Sequence, residues 1–146
     1  MSAQQVANLT RQIDSEIKKL ETQFAPALTG AVPIGFFTQK ASQVLPIIAK
    51  CTLAENIIPP IPGGLIKRSQ FSNIKKRLEE FSSKDFPELE TQLSTYITSP
   101  EATTKATALA QIVKKIPSII ADYVLMKREL NKVKKALRVW EIVRSV

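Results

Sequence analysis

Residues 109–143 read LAQIVKKIPSIIADYVLMKRELNKVKKALRVWEIV, and this stretch decides the fold. Its apolar residues recur at alternating steps of three and four. The members of this heptad seam are Leu109, Ile112, Ile116, Ile119, Tyr123, Met126, Leu130, Val133, Leu137 and Trp140. The spacing is that of the a and d positions of a heptad repeat. It predicts one long amphipathic helix that needs a partner surface along its whole length.

Pro117 lies inside the seam. A proline within a helix loses one backbone hydrogen bond and clashes with the preceding turn, so it can end or kink the helix. The heptad phase is the same on both sides of Pro117. The sequence therefore predicts a kinked or nearly continuous helix rather than two separate ones.

The side of this helix away from the seam is basic. With successive residues about 100° apart around the axis, six basic side chains fall there. They are Lys127, Arg128, Lys132, Lys134, Lys135 and Arg138. Between residues 127 and 141, only Glu129 and Glu141 oppose them. Because like charges at this density destabilise an isolated helix, an anionic partner is the simplest compensation, and a merely solvated surface is the alternative.

A second basic amphipathic helix is predicted from Ser69 onward. Its apolar positions are Phe71, Ile74, Leu78 and Phe81. Its basic residues are Lys67, Arg68, Lys75, Lys76 and Arg77. If it lies beside the C-terminal helix, the two basic faces could border one groove. Asp85 and Glu88, with Pro87 between them, predict the N-terminus of a separate helix that follows.

The remaining chain completes an all-helical organisation. Residues 1–25 predict an N-terminal helix whose polar face mixes Arg11, Asp14, Glu16, Lys18, Lys19 and Glu21 and is expected to be merely solvated. Residues 26–66 form a Pro/Gly-rich apolar segment with a buried helix near 38–58, broken or kinked at Pro46. Residues 67–146 are the basic helical region. No alternating strand pattern occurs, so we expect an all-α, single-domain bundle of four to six helices with a long, kinked C-terminal helix and Pro/Gly-rich apolar connections.

The two apolar connections read FAPALTGAVPIGFF (24–37) and NIIPPIPGGLI (56–66). Ordinary loops are polar, so apolar loops must pack somewhere. Three places remain open for them: the core of the same chain, a contact between subunits, or a membrane surface. The heptad seam raises the same question, because it could close on its own chain or on another copy.

Composition narrows the function. The chain has 146 residues and a net charge of +8, and residues 105–146 alone carry +7. Such segregation favours a polyanionic partner. The absence of histidine and the single Cys51 exclude the usual Cys/His zinc sets and histidine-dependent nucleophile pairs. No phosphate-binding glycine loop is present. We therefore expect no enzyme activity, no metal and no cofactor, and a buried hydrophobic role for Cys51.

The build of the chain resembles that of the α-helical coat proteins of archaeal filamentous and rod-shaped DNA viruses. The likeness lies in the polar N-terminal helix, the apolar connections with VPIGFF and IIPPIPGGL, and the basic helices at 67–77 and 127–138. It implies a coat subunit that wraps double-stranded DNA and packs its apolar segments against neighbouring copies. The basic residues named above would then line the DNA.

The expected function is that of a structural protein that self-assembles and wraps nucleic acid, with double-stranded DNA as the expected form, through phosphate contacts that ignore sequence. A helical adaptor or coiled-coil subunit with an acidic protein partner is the alternative, and a membrane-peripheral protein is the third. No signal peptide and no bilayer-spanning run are visible, so the expected location is a virion or the cell interior. The sequence does not distinguish DNA from RNA.

Overall fold

The computed structural model describes residues 3–29, 31–58 and 68–145, and every regular element in these ranges is helical. The α-helices are α1 (Ala3–Gln23), α2 (Phe36–Ile57), α3 (Arg68–Glu80), α4 (Phe86–Thr98) and α5 (Ala102–Ser145). A 3₁₀ turn, Ala25–Thr29, follows α1, and a π-helical turn, Phe81–Asp85, joins α3 to α4. The expected all-α single-domain fold is confirmed.

Residues 68–98 form one uninterrupted helical rod, because α3, the π turn and α4 follow one another directly. The prediction of a separate helix capped by Asp85 is therefore wrong. Asp85 has helical backbone angles (φ −67°, ψ −46°) and makes no capping hydrogen bond with its side chain. Pro87 has no N–H to donate, and its ring crowds the preceding turn of helix. The π turn before it is wider, so it leaves room for the ring and does not require the missing hydrogen bond. The backbone N–H of Phe86 donates to the carbonyl of Phe81 there.

Prolines also lie inside α2 and α5 without ending either helix. The 44-residue α5 passes through Pro117, as its unbroken heptad phase predicted. The sequence predicted a break or a kink at Pro46; the break does not occur, since α2 continues through it. Both prolines lie on exposed sides of their helices, where the carbonyl left without a donor can be hydrated.

The helical rods pack as a four-membered bundle. The α1 helix contacts α2 and α5, and the rod of residues 68–98 also contacts α2 and α5, so α2 and α5 lie on a diagonal. Contacts between neighbours run in opposite chain directions: Asp14 pairs with Lys134, whereas Glu21 pairs with Lys127. The result is an up-down-up-down arrangement, the expected topology when short connections join antiparallel neighbours.

The heptad seam of α5 closes on its own chain. From Ile112 to Leu137 every seam residue is at most 4% exposed, and Leu109 at the near end is half-buried. The side chain of Trp140 lies outside the described part. The seam packs on α1 and on the rod of residues 68–98, so it closes on its own chain and not on another copy.

An aromatic cluster holds the helices together at the middle of α5. Phe24, just past the end of α1, is fully buried. Its ring centroid lies 5.2 Å from that of Phe86, 5.8 Å from Tyr123, 5.9 Å from Phe36 and 6.0 Å from Phe37. One side chain therefore touches aromatic residues of α2, α4 and α5, at separations where aromatic pairs add to simple area burial.

The first apolar connection packs mainly on this core. Phe24, Val32 and Phe37 are buried, whereas Ile34 is 52% exposed and the small or proline residues around it also reach the surface. The second connection, residues 56–66, begins at the end of α2 with Ile58 buried, and its residues 59–66 lie outside the described ranges. Cys51 is buried in α2, as expected, but the expected burial of α2 on all sides is wrong because Leu45 and Leu53 are 55% and 54% exposed. No helix in the described ranges combines the length and hydropathy that crossing a bilayer requires.

The N-terminus of α2 is capped from a distance by Glu90 of α4. Its carboxylate accepts hydrogen bonds from the backbone N–H groups of Gly35 (2.9 Å), Phe37 (3.0 Å) and Thr38 (3.2 Å). Gly35 has φ of 93°, a left-handed conformation that favours glycine. A negative charge at this position satisfies otherwise unpaired amides and complements the helix dipole. Sequence reasoning placed Asp85 and Glu88 at the start of their own helix and did not assign this capping role to Glu90.

We expect Glu90→Ala to lower the free energy of unfolding by about 1–2 kcal/mol, because three amide groups lose their acceptor. Urea denaturation followed by circular dichroism measures this loss. The matched control is Glu88→Ala on the same helix, whose exposed carboxylate forms an ion pair with Lys115. Its loss should stay below about 1 kcal/mol. Equal losses for the two variants would contradict the capping role.

Candidate nucleic-acid interface

Two of the basic residues predicted for α5 hold the bundle together. Lys127 Nζ lies 2.7 Å from Glu21 Oε1, and Lys134 Nζ lies 2.6 Å from Asp14 Oδ2. Both lysines occupy e positions beside the heptad seam, where coiled-coil ion pairs form. They are directed at α1 rather than at solvent, and each is only about a third exposed (27% and 30%). The expectation that the polar face of α1 is merely solvated is wrong for Asp14 and Glu21.

Asp14 is the most enclosed acid of this contact, with 7% of its side chain exposed. Its Oδ2 also lies 3.0 Å from Lys18 Nζ. Burial by itself would raise the pKa of this carboxyl, but the hydrogen bonds and charges of Lys134 and Lys18 outweigh burial and hold the pKa below its ordinary value. Asp14 is therefore ionised at neutral pH and bridges α1 to α5.

The basic residues of α3 point in several directions. Lys75 Nζ approaches Glu55 of α2 at 3.9 Å, and Arg77 Nη1 lies 2.9 Å from Asp122 Oδ1 of α5. Arg68 donates to the backbone carbonyl of Ile58 at 3.1 and 3.3 Å.

Lys76 of α3 is exposed and has no ion pair with any described residue. Lys67, which sequence reasoning also assigned to the interface, lies outside the described ranges. The structure thus uses Lys75 and Arg77 to join helices, and of the predicted α3 residues it leaves Lys76 directed at solvent.

Four of the predicted residues do gather on one exposed surface. Arg128, Lys135 and Arg138 are exposed and form no ion pair with the described residues. Lys132 is 66% exposed and lies 3.8 Å from Glu129, a loose pair on its own helix. Together these four side chains form the α5 cationic face, which spans residues 128–138, or about 15 Å of helix.

Arg11 of α1 extends this surface, and sequence reasoning missed it. A groove of about 360 Å³ between α1 and α5 is lined by Ala7, Arg11, Lys134, Leu137 and Arg138. Arg11 is exposed, and its guanidinium donates to Asn8 Oδ1. Once Asp14 is known to face Lys134, the sequence spacing identifies Arg11 as well. Arg11 precedes Asp14 by three residues, so it lies on the same side of α1.

A larger groove, of about 500 Å³, lies between α4 and α5. It is lined mainly by polar side chains including Glu88, Gln111, Lys114 and Lys115. Burial raises the pKa of the Cys51 thiol to about 12 and raises the pKa of the Tyr123 hydroxyl as well. The described residues include no cluster of three or more acidic or cysteine side chains placed to hold a metal ion.

The geometry divides the predicted interface into residues that join helices and residues that face solvent. Lys75, Arg77, Lys127 and Lys134 belong to the first group, and the α5 cationic face with Lys76 belongs to the second. Comparison of the chain with protein-family models, with curated proteins and with solved structures gives no match.

Proposed function

We propose that this protein is a structural nucleic-acid-binding subunit that contacts the phosphates of a duplex through the α5 cationic face. The observation that carries the proposal is the alignment of Arg128, Lys132, Lys135 and Arg138 over three turns of one helix, exposed and outside the ion pairs between helices. Side chains in this state keep their charge available for an anion. Arg11 adds a fifth cation at the edge of the same surface.

The ion pairs beneath this face fix its orientation. Lys127 and Lys134 tie α5 to α1, so the outer side of α5 is presented by a packed bundle rather than by an isolated, self-repelling helix. A preorganised row of cations releases counterions from a duplex without first ordering its own backbone. Binding would position the protein on the phosphates and carry no base readout.

The wider form of the proposal is a subunit that self-assembles and encloses double-stranded DNA. The resemblance to archaeal viral coat proteins supports this form, as does the net charge of +8. The same cationic face would also suit an acidic protein, which is the competing proposal. The response of duplex binding to salt and to base sequence separates these two.

We expect the protein to bind a labelled 30-base-pair duplex of any sequence at about 50 mM salt, with affinity falling steeply as salt rises. Fluorescence anisotropy against salt concentration measures the slope. The triple variant Arg128→Gln, Lys135→Gln and Arg138→Gln should make that slope shallower by about 2–3, since each lost phosphate contact removes about 0.9.

The matched control removes the same charge from other faces. Lys19 of α1 and Lys84 of the π turn are exposed, and Lys50 of α2 is half-buried; all three lie outside the interhelical ion pairs, so their triple replacement by Gln should leave the slope within about 1 of wild type. No binding at about 50 mM salt would contradict the proposal and leave the acidic-partner alternative. Equal effects of the two triple variants would place the interface elsewhere.

A further inference from the structure

The groove between α1 and α5 brings together basic side chains from two helices. Arg11, Asp14 and Lys18 follow one another at steps of three and four residues, so they lie on one side of α1. Lys134 and Arg138 are four residues apart and lie on one side of α5. Because Lys134 Nζ lies 2.6 Å from Asp14 Oδ2, these two sides face each other. Four cations therefore meet at this contact.

The charge of this contact is strongly positive. Asp14 Oδ2 lies 3.0 Å from Lys18 Nζ and 2.6 Å from Lys134 Nζ, so two ammonium groups share one carboxylate. Arg11 and Arg138 form no ion pair with any described residue. These five described side chains together carry a net charge of +3. The carboxylate is already neutralised by the lysines, so it offers little repulsion to an anion that enters from solvent.

Two of the six arginines in the chain line this groove. Arg11 donates from its guanidinium to Asn8 Oδ1, and this bond uses one of its five N–H donors and holds the group in place. Arg138 is exposed on the opposite wall. By contrast, Arg68 and Arg77 are bonded within the bundle, to a backbone carbonyl and to a carboxylate. A guanidinium presents a planar fork of donors that matches two oxygens of a phosphate group.

The remaining walls of the groove also favour an anion. Ala7 and Leu137 line it beside the cations, and Leu137 is only 4% exposed. An apolar wall lowers the local dielectric constant and so strengthens the attraction between the cations and a bound anion. The volume of about 360 Å³ is near the lower end of the range for ligand sites, about 300–1,000 Å³. The groove therefore suits a small charged group.

We propose that Arg11 and Arg138 form a clamp for one phosphate group of a nucleic-acid backbone, with one guanidinium contributed by each helix. Arg138 also belongs to the α5 cationic face, so a ligand in the groove must continue as an anion along α5. A row of backbone phosphates does this. The inference rests on the proposed function for its ligand, and it adds a site that two helices build together. The binding surface then extends from α5 across the groove to α1.

The clamp can be tested without nucleic acid through the Nε–Hε signals of the arginines in nitrogen-15 NMR spectra. Inorganic phosphate replaces chloride at constant ionic strength. We expect the signals of Arg11 and Arg138 to shift together and to reach half-saturation at a phosphate concentration at least about threefold lower than the signal of Arg128. Arg128 is the internal control, because it is exposed on α5 but does not line the groove.

Two results of this titration would overturn the proposal. One is the same half-saturation for all three arginines, or no shift at all, which would show that the groove does not concentrate phosphate. The other comes from acetate, titrated in the same way. An equal response to acetate would assign the groove to a carboxylate, and hence to an acidic protein.

Duplex binding supplies the second measurement. Arg11→Lys keeps the charge of the groove but removes the planar fork. We expect this variant to bind the 30-base-pair duplex about fivefold more weakly at about 50 mM salt, with an unchanged circular dichroism spectrum. The matched control, Arg128→Lys, should stay within about twofold of wild type, since an isolated phosphate contact needs only the charge.

The two levels of the argument fail in different ways. If wild type binds the duplex and Arg11→Lys binds it equally well, the clamp is wrong and the proposed function stands. If wild type binds no duplex, the proposed function is wrong, and the backbone phosphate is lost as the ligand of the groove.

Discussion

Replacing Phe24 by Ala should lower the free energy of unfolding by about 4 kcal/mol, within the range for truncating a fully buried phenylalanine. The reason is its position. Phe24 contacts aromatic rings of α2, α4 and α5 at once, so its removal opens a cavity where the bundle's helices meet. The surrounding rings are held by separate helices and cannot all move inward to fill it.

Thermal unfolding followed by circular dichroism measures this loss, and we expect a decrease in Tm of roughly 10 °C for a domain of this size. Phe36→Ala is the matched control. Phe36 is half-buried at the edge of the same cluster, and of the described aromatic rings it contacts those of Phe24 and Phe37. Its truncation should cost about half as much or less. If Phe36→Ala proved the more destabilising variant, the central role of Phe24 would be wrong.

The sequence predicts those features of the fold that follow from periodicity. The heptad seam from Ile112 to Leu137 is buried where its spacing places it, and α5 runs through Pro117 because the phase is continuous there. The helix of residues 68–80 follows the same rule. In each case the information is local, since a residue's neighbours along the chain determine which face it occupies.

The features that the sequence did not predict depend on contacts between distant residues. Residue spacing within α1 does not show that Asp14 meets Lys134, 120 residues away. The cap on α2 likewise comes from Glu90, 52 to 55 residues further on. The π turn before Pro87 was not predicted for another reason. Asp85, Pro87 and Glu88 match the residue pattern of a helix start, but a continuous helix can contain the same residues when one turn widens.

The same distinction affects the candidate interface. Charge periodicity placed six basic residues on one side of α5, but it could not separate Lys127 and Lys134, whose partners lie on α1, from the four that face solvent. Both lysines flank the seam, about 80–100° from its centre. Their e position in the heptad could have distinguished these two lysines, because e residues reach the neighbouring helix in a bundle.

Reversing both paired lysines, Lys127→Glu with Lys134→Glu, should lower the free energy of unfolding by about 3 kcal/mol. Each substitution turns an attractive contact of 2.6–2.7 Å into a repulsive one, beside Asp14 or Glu21. Fully buried pairs cost about 3–5 kcal/mol to break and exposed pairs less than about 1. These two pairs are half-buried, so about 1.5 kcal/mol for each is the intermediate expectation.

The control reverses the same number of charges on the exposed surface of the same helix. Lys132→Glu with Lys135→Glu should change the unfolding free energy by less than about 0.5 kcal/mol, because neither side chain is enclosed by another helix. The same control variant should bind duplex much more weakly than wild type. The two double variants therefore separate stability from binding within a single helix.

A charge exchange makes the test specific to these pairs. Adding Asp14→Lys and Glu21→Lys to the Lys127→Glu, Lys134→Glu variant restores opposite charges across the α1–α5 contact. It should recover at least half of the lost stability in urea denaturation. Without recovery, the loss would come from changed packing rather than from the ion pairs. Because the exchange leaves the α5 cationic face intact, the recovered protein should also regain salt-sensitive duplex binding.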